Sequence, residues 1–278
     1  MVGASIGIAA AFALGAQGLV LYSSVAVGAI GYMLGAQIHL ADGSVINYTA
    51  ELGKLVYKST KVDIIVTPVT VILSGYGISR LICPAIAYVM YYLGDFINTA
   101  TELRPFAMGI IVSVVVGIIL TLPISSAAIC AMIGIAGLAG GAATAGCCAQ
   151  MVGFAVMSFR ENRWGGLIAQ GLGTSMLQMG NIIRRPQIWL PTIITSAVTG
   201  PLSTVVFKLK NTGVSAGMGT SGLVGPLGVI GAEGEMGAFQ WIGLVLICVV
   251  IPAVLTLALS ELMLKLKLYK SEDMKLDL

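Results

Sequence analysis

Charge is what this sequence has least of. Only 10% of its 278 residues are charged, 15 Lys+Arg stand against 12 Asp+Glu, and there is one histidine, His39. A folded domain in water carries roughly 25% charged residues because its surface must be hydrated. A chain this poor in charge is therefore no ordinary soluble globule. The formal net charge of +3 is slight, and no basic stretch is interleaved with aromatics, which excludes a nucleic-acid partner. Cys83, Cys130, Cys147, Cys148 and Cys248 all lie in apolar stretches without Cys-x-x-Cys spacing. That pattern excludes a zinc or redox motif, and the odd count argues against a full disulfide set. Small buried thiols at helix contacts remain. His39 has no second ligand nearby in sequence, so neither a metal nor a cofactor is expected. There is no GxxxxGK phosphate loop, and a Ser-His-Asp set would have only one histidine to draw on. Nothing here equips the chain as an enzyme.

What is abundant is apolar. Hydrophobic residues make up 57% of the chain and the mean hydropathy is +0.97, so the solvent that fits is lipid. Met1 leads into an apolar run with no basic n-region and no small-residue cleavage site, which does not read as a signal peptide. A helical span needs about 20 predominantly apolar residues. Runs that qualify or nearly qualify are 2–21, 22–40, 62–79, 81–94, 106–122, 188–207 and 238–264. Residues 127–157 are too long for one span and too short for two, and a tilted or bent helix is expected there. The fold class is therefore an all-α integral membrane protein with about 8–10 membrane segments.

Two weaker segments, 165–182 and 213–237, are rich in glycine and interspersed with Gln, Asn, Ser and Thr. Irregular backbone at membrane depth persists only where protein or a water-filled cavity satisfies its polar groups. Both are candidates for broken or re-entrant helices. The glycines of 127–157 are better explained by close helix packing. Lys265, Lys267, Lys270 and Lys275 form the densest basic stretch after a span, so the C-terminal tail is expected to be cytoplasmic.

Self-comparison adds a repeat. Ile6-Gly7-Ile8-Ala9 recurs as Ile133-Gly134-Ile135-Ala136, Ser23-Ser24 then Gly28 as Cys147-Cys148 then Gly153, and Leu52-Gly53 as Leu172-Gly173. Lys61, Pro68 and Gly75 are echoed by Arg185, Pro191 and Gly200. The order is kept, giving two internal repeats of about 125 residues, an arrangement common in transporters. The expected organisation is 1–100 as a first repeat, 101–210 as a second, 211–237 as a Gly-rich re-entrant segment, and 238–278 as the last span with its basic tail. Because the second copy of IGIA is preceded by a span and the first is not, the first repeat is expected to be N-terminally incomplete.

Buried polar groups in membranes are costly and mark pathways by default. Amides and hydroxyls suit a neutral polyol, since they replace its water without trapping it. The candidate substrate-binding residues are Gln150, Gln170, Thr174, Ser175 and Gln178, with 170, 174 and 178 on one face if the segment is an α-helix. Thr220 and Ser221 sit at the centre of the second Gly-rich segment. Glu51 is the first-half counterpart of this region by the repeat, with Asp63 just beyond. Interhelical hydrogen bonding within the bundle is the competing account of these side chains. Glu161 and Arg163 read as a solvated loop pair, Glu102 and Arg104 as interface anchors, and Glu233 and Glu235 as a wet loop.

Several runs resemble a known family: ELRPFAMGIIVSVVVGIILTLPISSAAI, GCCAQMVGFAVMSFREN, GGLIAQGLGTSMLQ and AGMGTSGLVG, together with ELGKLVYKSTKVDIIVTP in the first half. They are similar to the EIIC-like membrane family of the bacterial phosphotransferase system, over about four fifths of the chain and short of the last span and tail. The resemblance implies a homodimeric, multi-pass permease of the bacterial inner membrane. It binds a sugar or related small solute, with EIIA/EIIB-like cytoplasmic partners carrying any phosphotransfer. A better-known sugar branch carries a Gly-Ile-Thr-Glu motif and a membrane histidine; this chain lacks the motif, and His39 lies beside a polar loop. The alternative is a membrane sensor or regulatory binding protein on the same scaffold, without transport.

Overall fold

The computed structural model describes Ala11, Val20, 22–27, Ala29 and 63–276. Most of the proposed first repeat, with His39 and Glu51, lies outside the described residues, as does the side chain of Asp63. Most of the described residues are helical, with no strand among them. The chain divides into two units, Met1–Tyr92 and Leu93–Leu278.

The first described helix, α1, runs Asp63–Leu103 for 41 residues without a break. This corrects the expectation of two spans divided at Arg80 with a polar link from Gly94 to Pro105. Polar side chains do not by themselves end a helix, and those near its C-terminus are used. Thr101 Oγ1 donates to the carbonyl of Ile97 at 2.7 Å. Asn98 Nδ2 donates to the carbonyl of Gly134 at 2.9 Å, and Asn98 Oδ1 accepts from the Ala136 amide at 3.0 Å.

Those two bonds hold a break between helices that the sequence reading missed. The 127–157 stretch is not one bent helix but α3, Ser126–Ile133, and α4, Gly137–Met157. Between them Gly134 is left-handed at φ 68, ψ 35, a conformation that favours glycine. Asn98→Ala is expected to cost about 1–2 kcal/mol by leaving the turn's carbonyl and amide unpaired. A thermal melt in detergent checks this: a Tm within error of wild type would mean the bonds are solvent-exchanged and not structural.

Helix α2, Pro105–Thr121, and helix α7, Leu190–Pro201, pack against α4 and each other. Helix α4 lies at the centre, and over 139–149 its side chains are small on every face. Among candidate spans it is 89% buried, against 33% for Ala238–Lys265, whose large apolar residues face outward. A Cβ on Gly146 of α4 would collide with the Ser113 carbonyl of α2, and one on Gly200 of α7 with the Gly109 carbonyl. Small residues thus let three backbones approach. Val112, Val116 and Leu120 of α2 close the core with Cys147 and Met151 of α4.

Helices α5 (Phe159–Ile168) and α6 (Met179–Arg184) flank an irregular stretch. Helix α8, Gly213–Ala216, and α9, Val224–Glu233, follow α7. The last long helix comprises α10 (Ala238–Val245), a π turn at Leu246–Val250 and α11 (Ile251–Lys265). Among the described residues three helical stretches are long and apolar enough to cross a membrane: Gly137–Met157, Pro186–Val206 and Ala238–Lys265. Shorter apolar stretches are Ile65–Ile78 and Pro105–Thr121.

Candidate functional site

Both Gly-rich segments are interrupted. After α5 comes a π turn, Ala169–Gly173, then Thr174 in extended geometry at φ −158, ψ 140, then a 3-10 turn, Ser175–Gln178. Glycines at 165, 166, 171 and 173 each weaken helix by about 1 kcal/mol relative to alanine. The Thr174 hydroxyl accepts from the Met176 amide at 3.2 Å, capping the turn that replaces the helix. In the second segment Leu223 sits in left-handed geometry at φ 60, ψ 15, just after Gly222 at φ 52. A leucine held there is strained backbone. The segments meet where Thr220 Oγ1 donates to the Gly171 carbonyl at 2.6 Å.

This geometry corrects the single helical face expected for Gln170, Thr174 and Gln178. The π turn adds a residue and Thr174 is extended, so the three side chains part company. Gln170 is fully buried and donates to Ser158 Oγ at 2.8 Å and to the Gly166 carbonyl at 3.1 Å, while its Oε1 has no partner among the described residues. Gln178 donates to the Met274 carbonyl at 3.1 Å and accepts from Asn181 Nδ2 at 2.9 Å. Thr174 borders a cavity.

Gln150 and Ser175 belong together. The Gln150 amide is fully buried on α4. Its Oε1 accepts from Trp189 Nε1 at 3.0 Å and from Thr121 Oγ1 at 3.4 Å, and its Nε2 donates to Ser196 Oγ at 3.4 Å. Thr121 and Ser175 hydroxyls share a hydrogen bond at 3.0 Å. Ser113 Oγ donates to the Ser196 carbonyl at 2.7 Å. One side chain thus ties α2, α4, α7 and the 3-10 turn together, and a buried network satisfied this fully fixes its members in place.

Beside this network lies a cavity of about 360 Å³, bordered by Leu120, Pro123, Ser125, Thr174, Met218 and Ser221 among others. Its volume falls within the range of small-molecule sites, about 300–1,000 Å³. Leu120 and Thr174, which wall it, immediately precede Thr121 and Ser175 of the network. Among the described residues no charged side chain lines it. Glu233 is engaged elsewhere, where its carboxylate accepts from the Lys210 amide at 2.8 Å and from Gln240 Nε2 at 3.1 Å. Arg160 pairs with Glu261 at 2.7 Å on the surface.

The profile of the family described as "Phosphotransferase system, EIIC" matches residues 1–276. The chain belongs to that EIIC family. Membership makes it a membrane component of a phosphotransferase transport system in the bacterial inner membrane, a kind of component generally not catalytic on its own. The match takes in the last span and the tail, beyond the four fifths covered by the resemblance in the sequence. Compared with curated proteins and with solved structures, the chain matches none.

Sequence reasoning missed Thr121, Trp189 and Ser196 as members of this EIIC protein's polar centre. A signal was present. Thr192, Ser196 and Thr199 recur at helical spacing through 188–207, and all are buried, so a hydroxyl face on an apolar helix was legible. Groups that could hold a metal are absent among the described residues.

Proposed function

We propose that this EIIC protein is the permease of its system, moving a small neutral polar solute, a sugar or related polyol, by alternating access. The observation that carries the reading is the cavity walled by Thr174 and Ser221, where two interrupted segments meet beside the Gln150 network. Hydroxyls on a wall without charge suit a neutral polyol. Broken helices at a substrate site are the way many transporters combine binding with movement. Thr174 and Ser221 are proposed to contact the solute; Gln150, Ser175 and Thr220 are proposed to hold the wall. In this reading the chain is a multi-pass homodimer of two structural repeats, 1–100 and 101–210, followed by a re-entrant segment at 211–237. EIIA/EIIB-like cytoplasmic proteins perform the phosphotransfer, as the family membership supports.

Thermal stability of the purified protein against a panel of sugars and polyols tests this, because a ligand of the folded state raises Tm by mass action. Thr174→Ala and Ser221→Ala are each expected to weaken the hit about tenfold, the loss of one hydrogen bond of about 1.5 kcal/mol; the ligand-free Tm should be unchanged in Ser221→Ala and slightly lower in Thr174→Ala, which also loses the turn cap, worth about 1 kcal/mol. Full affinity in both variants, or no sugar or polyol shift at all, would remove the cavity from the transport path. Binding without uptake in vesicles supplied with the cytoplasmic partners would point to a sensor instead.

A further inference from the structure

The described residues past the last long helix do not trail away from it. Past Lys265 the backbone turns through Lys267 at φ 57, and the residues beyond fold back. The Tyr269 hydroxyl shares a hydrogen bond with Ser260 Oγ at 2.7 Å, and burial pushes its phenol above the ordinary range, so it stays neutral. A 3-10 turn, Ser271–Met274, is capped by Asp273 Oδ2 accepting from the Lys270 amide at 2.9 Å. Met274 is fully buried among Phe154, Met157, Ile182, Ile188 and Met263.

The backbone of this strap is gripped by side chains. The Met274 carbonyl accepts from Asn162 Nδ2 at 2.8 Å and from Gln178 Nε2 at 3.1 Å. The Leu276 amide donates to Asn162 Oδ1 at 2.8 Å, and the Lys275 carbonyl accepts from Asn181 Nδ2 at 2.9 Å. Segments beyond a last helix are poorly ordered unless tied down; this one is tied on either side of a single stretch. Asn162 lies in α5 just before the kink at Arg163 (φ 50, ψ −149), ahead of the irregular stretch, while Gln178 closes that stretch and Asn181 follows it in α6.

We propose that residues 268–276 are a latch that sets the position of the cavity-lining turn. Between Asn162 and Gln178 the chain is the second half of α5, kinked at Arg163, then a π turn, an extended residue and a 3-10 turn, the last three being geometries with poorer hydrogen bonds than an α-helix. What holds its ends therefore decides where it sits. With the strap docked, Gln178 anchors the 3-10 turn, Ser175 meets Thr121, and Thr174 faces the cavity. With the strap released, Asn162, Gln178 and Asn181 lose their bonds to it together, and the turn loses its fixed end. Lys270, Glu272 and Lys275 are exposed, which leaves the strap open to being pulled away by a cytoplasmic protein. The geometry stands by itself; its consequence for solute access rests on the permease reading.

Amide hydrogen exchange on the full chain in detergent tests the latch without needing a solute. Asn162→Ala, at a half-buried position, removes its two bonds to the strap without opening the core, and Met274→Ala removes the apolar anchor. Each is expected to speed exchange across 169–178 about tenfold or more, with α2 and α7 unchanged. Val229→Ala, which removes core from a different cluster, is expected to leave 169–178 at the wild-type rate. Faster exchange confined to 268–276, or the same acceleration in Val229→Ala, would overturn the proposal. A protein that binds no sugar would sink the permease reading while leaving this result intact.

Discussion

Gly146→Val is expected to lower stability by about 3 kcal/mol or more, at the upper end of overpacking effects. Most small-to-large changes are softened by a neighbouring side chain moving aside. Here the obstacle is main chain, since even a Cβ at Gly146 would run into the carbonyl of Ser113. Gly117 faces the same seam from the other helix, where its Cβ would lie 2.9 Å from the Gly146 carbonyl. Relief requires α2 and α4 to separate, which opens the core around Val116 and Met151 and pulls Thr121 from Gln150. For a unit of this size the loss corresponds to a Tm lower by roughly 6–12 °C. Gly180 provides the contrast, because a Cβ there meets nothing within 4 Å. Gly180→Ala should leave the Tm unchanged or raise it slightly, by less than about 1 kcal/mol of helix propensity. Equal melting of the two variants in detergent would refute the close approach of α2 to α4.

Gln150→Leu is the second large effect. Leucine matches the volume but takes away an acceptor for Trp189 Nε1 and Thr121 and a donor to Ser196. Leaving a buried donor unpaired costs about 1–3 kcal/mol per group, and the indole N–H has no other acceptor among the described residues. We expect a loss of about 2–4 kcal/mol. The loss should be accompanied by at least a tenfold fall in affinity for whichever sugar or polyol stabilises the wild type. The second effect follows because Ser175 is positioned through Thr121. Gln150→Ala should be worse for stability, since it adds a cavity to the same lost bonds. A leucine variant with wild-type Tm and wild-type binding would show that the network is a bystander.

The membrane class and the runs that became α2, the Pro186–Val206 helix and the last long helix were legible because their cause is local: an unbroken series of apolar residues. So was the breaking of 165–182, where glycines coincide with polar side chains. The break at Gly134 was not, because a glycine that packs a seam and one that turns the chain look alike in sequence. The difference lies in Asn98, distant along the chain, which supplies the bonds that hold the turn. The continuity of α1 was hidden for the related reason that charged and polar residues read as a link when nothing shows what they bond. At the candidate site, residue type was a better guide than spacing. Gln150, Ser175 and Thr174 do converge on one region, but the 170/174/178 periodicity assumed an α-helix that the backbone does not make. Gln178 proved to face the tail, a partner almost a hundred positions away.

The π turns at Ala169–Gly173, Leu202–Val206 and Leu246–Val250 each carry one residue more than an α-helical turn of the same rise holds. That extra residue is a store of rotation. Should a π turn tighten into α geometry, everything beyond it must swivel by about 100°, the angle between successive α-helical residues. The hydrogen-bond ladder survives the change with its partners renumbered. In the last long helix such a swivel would carry the outward face of α11, with Val254 and Leu257, into the position now held by Thr256 against Thr195. The helix would then put a greasy side where a hydroxylated one now meets Thr195.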